Sequence, residues 1–375
     1  MHSHRSTSFV ALLASLLLTA CGGSGSTETV LVGTFADPDL LQGTYGVLNA
    51  SGTAGGPEEL TVVWSSQSIT PAMLTGLSAT TNNTGVVGNP ALGATSNAYV
   101  VHGDRRLGWS GSNDGHFRTM GGISADGSVA ILAPTNPNTR ARLDVRVRQG
   151  AGLDDSVLNG AYWFGAFGAE VGGVQTLSRW GRVNFDGMGG GDITISQNVE
   201  GVISPLGNIG ISYSVAANGQ VSLDIFGAQT YAGWANENGE LVILGGGVNA
   251  GDDPHMMVIV RQGTGFSDAS SLGTWFLTGI SQEIGTNTYS SFAGSLLSNN
   301  PGVVSASGFT NNEGKVEWGE PSWSIPISIA DTGAFVLSTG AGEDFIGSLS
   351  DSGRFGVLAG PVNAGSNPAL YVMMR

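Results

Sequence analysis

Apolar and polar residues alternate along much of this chain with a period of two, and the runs are short. Tyr213-Ser-Val215 and Val221-Ser-Leu223-Asp-Ile225 show the pattern most clearly. A strand half-buried in a sheet has this period, because successive side chains point to opposite faces. Between 151 and 263 it predicts eight strands, at 161–167, 174–185, 192–197, 209–216, 220–226, 230–235, 240–244 and 256–261. Asp186-Gly187, Asn218-Gly219 and Asn238-Gly239 mark hairpin turns between them. Eight strands with short connections favour an antiparallel meander. The stretch 264–375 repeats the plan with Trp318, Trp323, Ile325, Ile327 and Ile329. The first third is less regular, and its stretch from Ser68 to Ser96, rich in Thr, Gly, Asn and Ala, is expected to hold a long loop.

The pattern recurs three times. Gly121, Gly233 and Gly347 are each followed six residues later by a turn glycine (Gly127, Gly239, Gly353), and five after that by Leu132, Leu244 or Leu358. An arginine ends each copy, at Arg148, Arg261 and Arg375, 113 and 114 residues apart. Upstream, each copy has a lead-in (Phe35-Ala36-Asp37, Leu153-Asp154-Asp155, Phe266-Ser267-Asp268) and then Gly-x-aromatic: Gly43-Thr44-Tyr45, Gly160-Ala161-Tyr162, Gly273-Thr274-Trp275. Units one, two and three therefore run over 35–150, 151–263 and 264–375. A period this long exceeds the ~20–50 residues of a solenoid repeat. Each unit is long enough for its own core, so three tandem all-β domains are expected. Closing each meander into an eight-stranded barrel would remove its exposed edges; three β-sandwiches, or one β-propeller with two blades per unit, are the alternatives.

The glycine and aromatic of the first strand, with the arginine of the last, resemble a feature of the calycin superfamily of lipocalins, avidins and fatty-acid-binding proteins. The residues concerned are Gly43, Tyr45 and Arg148; Gly160, Tyr162 and Arg261; Gly273, Trp275 and Arg375. The resemblance implies that first and last strands are neighbours and that each guanidinium covers a ring across the seam, a contact of ~0.5–2 kcal/mol. It also implies that the lead-in is the short helix closing the barrel's bottom. Tyr45 and Tyr162 stand where the family has Trp.

Residues 1–20 have the form of a signal peptide, with Arg5 ahead of the apolar run Phe9 to Leu18. Leu18-Thr19-Ala20-Cys21, followed by Gly22, resembles the bacterial lipoprotein lipobox. That resemblance implies cleavage before Cys21, a lipid-modified Cys21, and residues 21–34 as a flexible tether. Anchoring by two or more acyl chains is stable. No later run is long and apolar enough for a transmembrane helix. Gly22 is not the Asp associated with inner-membrane retention, so the outer membrane is the expected address in a cell that has one.

Glycine supplies 61 of 375 residues and charged residues only 11%, which disfavours long amphipathic helices. The formal charge is −15, a surface that repels phosphates and argues against nucleic acid as partner. Cys21 is the only cysteine, so neither a disulfide nor a cysteine-based metal cluster is expected. His102, Asp104, Asp114 and His116 lie near one hairpin, but their spacing matches no standard ligand motif. His255, after Asp252-Asp253-Pro254, reads as loop variation. Gly187 to Asp192 reads as a glycine-rich turn. Nothing selects Glu343-Asp344 as a glycosidase pair. No metal, cofactor or catalytic residue is assigned. The expectation is a non-enzymatic, membrane-anchored envelope lipoprotein that binds an unknown partner or serves as structure. A carrier of small apolar ligands in barrel cavities is the first alternative, and a glycan-acting hydrolase the second. Most of the eight tryptophans are expected in the core.

Overall fold

The computed structural model describes residues 38–375, except 53–59, 71–72, 84, 91–93, 97, 111–118, 136–139, 172–174, 227–228, 285–287, 313–314, 320–323 and 340–342. Unit one contains Gly43–Ser51 (β1), Thr61–Ile69 (β2), Met73–Asn83 (β3), Val86–Gly88 (β4), Ala94–Ser96 (β5), Ala98–Val101 (β6), Arg106–Ser110 (β7), Thr119–Ile123 (β8), Val129–Pro134 (β9) and Arg142–Arg148 (β10). Unit two contains Asn159–Ala169 (β11), Thr176–Asp186 (β12), Gly190–Val199 (β13), Val202–Val215 (β14), Gln220–Ile225 (β15), Gln229–Ala235 (β16), Leu241–Gly246 (β17) and His255–Arg261 (β18). Unit three contains Gly273–Glu283 (β19), Thr288–Asn300 (β20), Val303–Asn312 (β21), Lys315–Gly319 (β22), Ser324–Ile329 (β23), Ala334–Ser338 (β24), Asp344–Leu349 (β25), Phe355–Gly360 (β26) and Ala369–Met374 (β27).

The eight strands expected in unit two are all present, and β11 to β18 close into an antiparallel barrel in chain order. Its hairpin glycines Gly187, Gly219 and Gly239 have φ of 74°, 82° and 66°, the left-handed region where a Cβ is penalised. Unit three closes too. Strand β20 pairs with β21, β21 with β23, and β27 with β19, while the short β22 folds back on β21. In unit one the described strands curl in the order β4-β3-β2-β1-β10-β9-β8-β7-β6, with β5 beside β3. The stretch from Ser68 to Ser96 departs from the long loop expected of it. It contains β3, which ends in the run Thr80-Thr81-Asn82-Asn83 and pairs with β2, and the short β4 and β5.

A 3-10 turn lies under each barrel at or just after the lead-in, at Pro38–Leu41, Asp155–Val157 and Asp268–Ser271, while Phe35-Ala36-Asp37 lie outside the described residues. An aspartate fastens it in units two and three: Val215 N donates to Asp155 Oδ1 (2.6 Å) and Ile329 N to Asp268 Oδ1 (2.8 Å).

Each unit has an interior core, as expected of a tandem domain, but the outward faces are buried as well. Leu48, Val62 and Trp64 of unit one, Trp163, Phe167, Trp180 and Trp234 of unit two, and Phe276, Tyr289 and Val357 of unit three belong to one continuous core between the units. Among the described residues four tryptophans thus lie between barrels, and Trp275 lies inside one. The packing is head to tail. Strands β1 and β2 lie on β16–β18, β11 and β12 on β25–β27, and β19 and β20 on β8–β10. Three such contacts close a ring. Close approach sets some residues: a Cβ on Gly46 would fall 2.3 Å from the Trp234 ring, and one on Gly245 would fall 2.4 Å from that of Trp64.

The junctions repeat as the units do. Asn82 Nδ2 donates to the carbonyls of Gly247 (2.9 Å) and Asp252 (3.0 Å), while its Oδ1 accepts from Gly85 N. Asn198 Nδ2 donates to those of Pro361 (3.0 Å) and Ser366 (3.0 Å), while its Oδ1 accepts from Gly201 N. Asn311, three residues before Gly314, holds the matching place in unit three and is fully buried. The β-turns at Gly127, Gly239 and Gly353 also meet. Arg354 of unit three donates to Asp126 of unit one (2.9 Å) and to the fully buried Glu240 of unit two (3.1 Å), and Glu240 also accepts from Ser350 and Ser352.

Candidate functional site

The residues singled out by the repeat meet at three seams. Tyr45 pairs with Arg148 across β1 and β10, and Tyr162 with Arg261 across β11 and β18. The guanidinium carbon lies 5.7 Å from the Tyr45 ring centre, 5.4 Å from that of Tyr162 and, for Arg375, 4.7 Å from that of Trp275. Arg261 also donates to the Tyr162 hydroxyl (2.9 Å) and to the carbonyls of Val157 (2.7 Å) and Asn238 (2.9 Å). Arg148 reaches the Leu40 carbonyl (2.8 Å), and Arg375 those of Ser270 (3.2 Å) and Leu272 (3.3 Å). Each arginine therefore ties the first strand to the 3-10 turn beneath it. Gly43, Gly160 and Gly273 enter their strands at φ of 132°, 96° and 108°. Burial pushes the Tyr45 and Tyr162 phenols up, against the lowering pull of their arginines. The seams' hydrogen bonds and ring faces are taken up in closing the barrels. Cys21 lies outside the described residues.

A different place is open to chemistry. Aligned on the closing arginine, the last strands read Arg142-Leu-Asp-Val-Arg-Val-Arg148, His255-Met-Met-Val-Ile-Val-Arg261 and Ala369-Leu-Tyr-Val-Met-Met-Arg375. The even-numbered residues of the first, and the odd-numbered ones of the other two, face inward. In units two and three these inward positions join the interior core through Met257, Ile259, Tyr371 and Met373. In unit one they are Arg142, Asp144 and Arg146. Asp144 is 3% exposed, and its Oδ2 takes both guanidinium groups, Arg146 at 3.2 Å and Arg142 at 3.8 Å. Arg146 Nη1 also donates to Gln67 Oε1 (3.3 Å), and Gln67 Nε2 to Ser65 Oγ (3.1 Å). These groups wall a recess of about 300 Å³, with Asn49 beside them and Val47, Val63 and Leu74 as apolar surface. By contrast, Tyr162, Phe164, Phe185, Tyr213 and Tyr231 fill unit two, and Trp275, Phe292, Phe335, Phe345 and Tyr371 fill unit three. Sequence reading missed the recess; a register alignment of the three closing strands would have exposed it.

The other candidates are placed as follows. Asp104 pairs with Arg106 in an exposed contact (2.6 Å), while Asp114 and His116 lie outside the described residues. Among the described residues no three His, Cys, Asp or Glu side chains gather as metal ligands. His255 is not in a loop, contrary to the expectation. It opens β18 fully buried, because the chain re-enters the barrel one residue after Pro254. Its Nδ1 lies 2.6 Å from Gln229 Oε1, and its ring stacks on Tyr231. Burial, then the nearby Arg179 charge, holds its pKa well below the ordinary value, so the imidazole is neutral. The glycine-rich turn at Gly187 is organised by Asp186 Oδ1, which accepts from Met188 N (2.7 Å) and Gly190 N (2.9 Å). Glu343 is buried, whereas Asp344 is half-buried against the Asn363 amide (3.4 Å). No described helix is long and apolar enough to cross a membrane.

No protein-family model and no curated protein sequence matches the chain. Among solved structures it is similar to kievitone hydratase from Nectria haematococca, at 10% identity, with 94% of this chain and 96% of that one covered and a TM-score of 0.21. It is also similar to transferrin binding protein B from serogroup B Neisseria meningitidis, at 10% identity over 89% and 76% of the two chains, with a TM-score of 0.26. The protein of the same name from Haemophilus parasuis Hp5 gives 7% identity over 89% and 75%, again with a TM-score of 0.26.

Proposed function

We propose that this chain is a lipid-anchored, non-enzymatic binding protein of the bacterial envelope, with the recess in unit one as its binding element and units two and three as its scaffold. One observation carries the reading. Three units share a plan, and at the same inward positions unit one has a polar recess where its siblings have packed side chains. Small-molecule sites are concave, partly apolar, and furnished with a few convergent polar groups. Apolar cargo of the kind a hollow barrel carries finds side chains in its place in units two and three. The lipobox-like stretch ending at Cys21 supports the anchor.

The binding reading is tested by native mass spectrometry of the full chain purified from its own cells. A retained small molecule is expected, and it should be lost when Ser65→Trp fills the recess. A ligand that survives Ser65→Trp, or no ligand from any preparation, would sink the reading. The anchor is tested separately. Cys21→Ser should move the protein from the membrane to the soluble fraction, and continued membrane association would refute lipidation.

A further inference from the structure

We infer that the recess of unit one takes a small organic anion: a carboxylate on a compact apolar body. This rests on the binding reading above and names its ligand class.

An under-partnered cation is the first argument. Arg142 and Arg146 both turn toward one carboxylate oxygen, Asp144 Oδ2, and Arg142 is the loosely held one, at 3.8 Å against 3.2 Å. The second cation is not needed by the architecture, because the matching inward residues are His255, Met257 and Ile259 in unit two and Ala369, Tyr371 and Met373 in unit three. Both of those barrels close without a charge pair there. Arg142 Nε has no hydrogen-bond partner among the described residues and Asp144 stands beyond hydrogen-bond reach of its guanidinium, so an incoming anion would complete the pairing.

Position is the second argument. The Arg146 side chain is 9% exposed and held by Asp144 and Gln67, whereas that of Arg142 is 35% exposed, with Asp144 as its ion-pair partner at only 3.8 Å. Arg142 is thus the accessible head of the cluster, and a planar fork of donors suits a carboxylate. Beside it, Val47, Val63 and Leu74 give an apolar body somewhere to lie.

Size and field set the limits. About 300 Å³ is the lower end of small-molecule sites. The chain as a whole carries −15, so an extended polyanion would meet repulsion over the rest of the surface. Charges more than about 8 Å away are largely screened at physiological salt, so a small monoanion inside the recess feels the adjacent Arg142 guanidinium first. Inorganic phosphate satisfies the charge but leaves the apolar surface uncovered.

The experiment is calorimetric titration of the detergent-solubilised full chain with benzoate, its neutral analogue benzamide, and inorganic phosphate, at 0.05 and 0.5 M NaCl. Benzoate should bind about tenfold or more tightly than either of the others, and more weakly at the higher salt. Arg142→Gln should weaken benzoate by about tenfold without unfolding the protein, Arg142→Lys should restore part of the loss, and Arg182→Gln on the exposed face of unit two should change nothing. If Arg142→Gln does not fold, the Lys variant and the salt dependence still decide. Equal binding of benzoate and benzamide, insensitivity to Arg142, or tighter phosphate binding would overturn the anion assignment and leave the binding reading intact. If none of the probes binds, the anion assignment fails, and the Ser65→Trp comparison decides whether the binding reading fails with it.

Discussion

Arg354 touches a carboxylate of each of the other two units, and its neighbours titrate accordingly. Burial raises the Asp126 and Glu240 carboxyls. Hydrogen bonds from Ser124 and Ser128 to the first, from Ser350 and Ser352 to the second, and from Arg354 to both outweigh it and hold each below the ordinary range. A carboxyl lowered by folding adds stability that is present above its unfolded pKa, near 4, and lost as pH falls through the folded value. His255 has the same sign at higher pH. Its folded pKa is depressed, so its contribution fades as pH drops below about 6.5. Asp351, raised by burial and then by Glu240, offsets part of the carboxylate effect. Melting temperature should therefore decline gently below pH 6.5 and steeply below pH 4, with Arg354→Gln flattening the steep limb and His255→Gln the gentle one. A profile level from pH 7 to 3 would contradict this. At the seam, Arg261→Ala should cost unit two about 1–3 kcal/mol, through a lost ring contact and two unsatisfied carbonyls. An unchanged denaturation curve would remove the arginine from the account of barrel closure.

At the scale of strands and turns, much was legible in the sequence. The Asp-Gly and Asn-Gly pairs located hairpins because only residues tolerant of positive φ suit those turns, and the eight strands of unit two followed from a period of two. What alternation cannot tell is which face looks inward. In β10 Leu143, Val145 and Val147 alternate with Arg142, Asp144 and Arg146, the same pattern that a core face and a solvent face would make. Here the apolar face meets unit three and the charges line the barrel. The recess was hidden for that reason, and the Ser68 to Ser96 strands because their polar Thr and Asn side chains imitate a loop. The junction asparagines were hidden too, since an Asn three residues before a Gly resembles any turn. Asn198→Ala should destabilise the chain by about 2–3 kcal/mol, because it leaves the carbonyls of Pro361 and Ser366 without a donor. Chemical denaturation would reveal it, and a change below about 0.5 kcal/mol would show the junction is held by packing alone.

For the molecule as a whole, the division of the core decides how far a unit can stand alone. Unit two has a complete interior, yet Trp163, Phe167, Trp180 and Trp234 would face water without its neighbours. Residues 151–263 expressed alone should therefore associate, as trimers or larger species, when measured by light scattering. A stable monomer would show that the shared core is dispensable.

Three contacts hold the ring, but the chain crosses only two of the boundaries, at 150–151 and 263–264. The third contact, where β19 and β20 lie on β8–β10 and Ala133 meets Ala293 and Phe309, brings together parts of the molecule remote in sequence. Its loop closure is the longest of the three, so its partners face the largest search each time they separate. The protein behaves as a bracelet with two links and one clasp. Under mild denaturant, amide exchange at the clasp should speed up before exchange at either linked boundary, while the three barrel interiors stay protected.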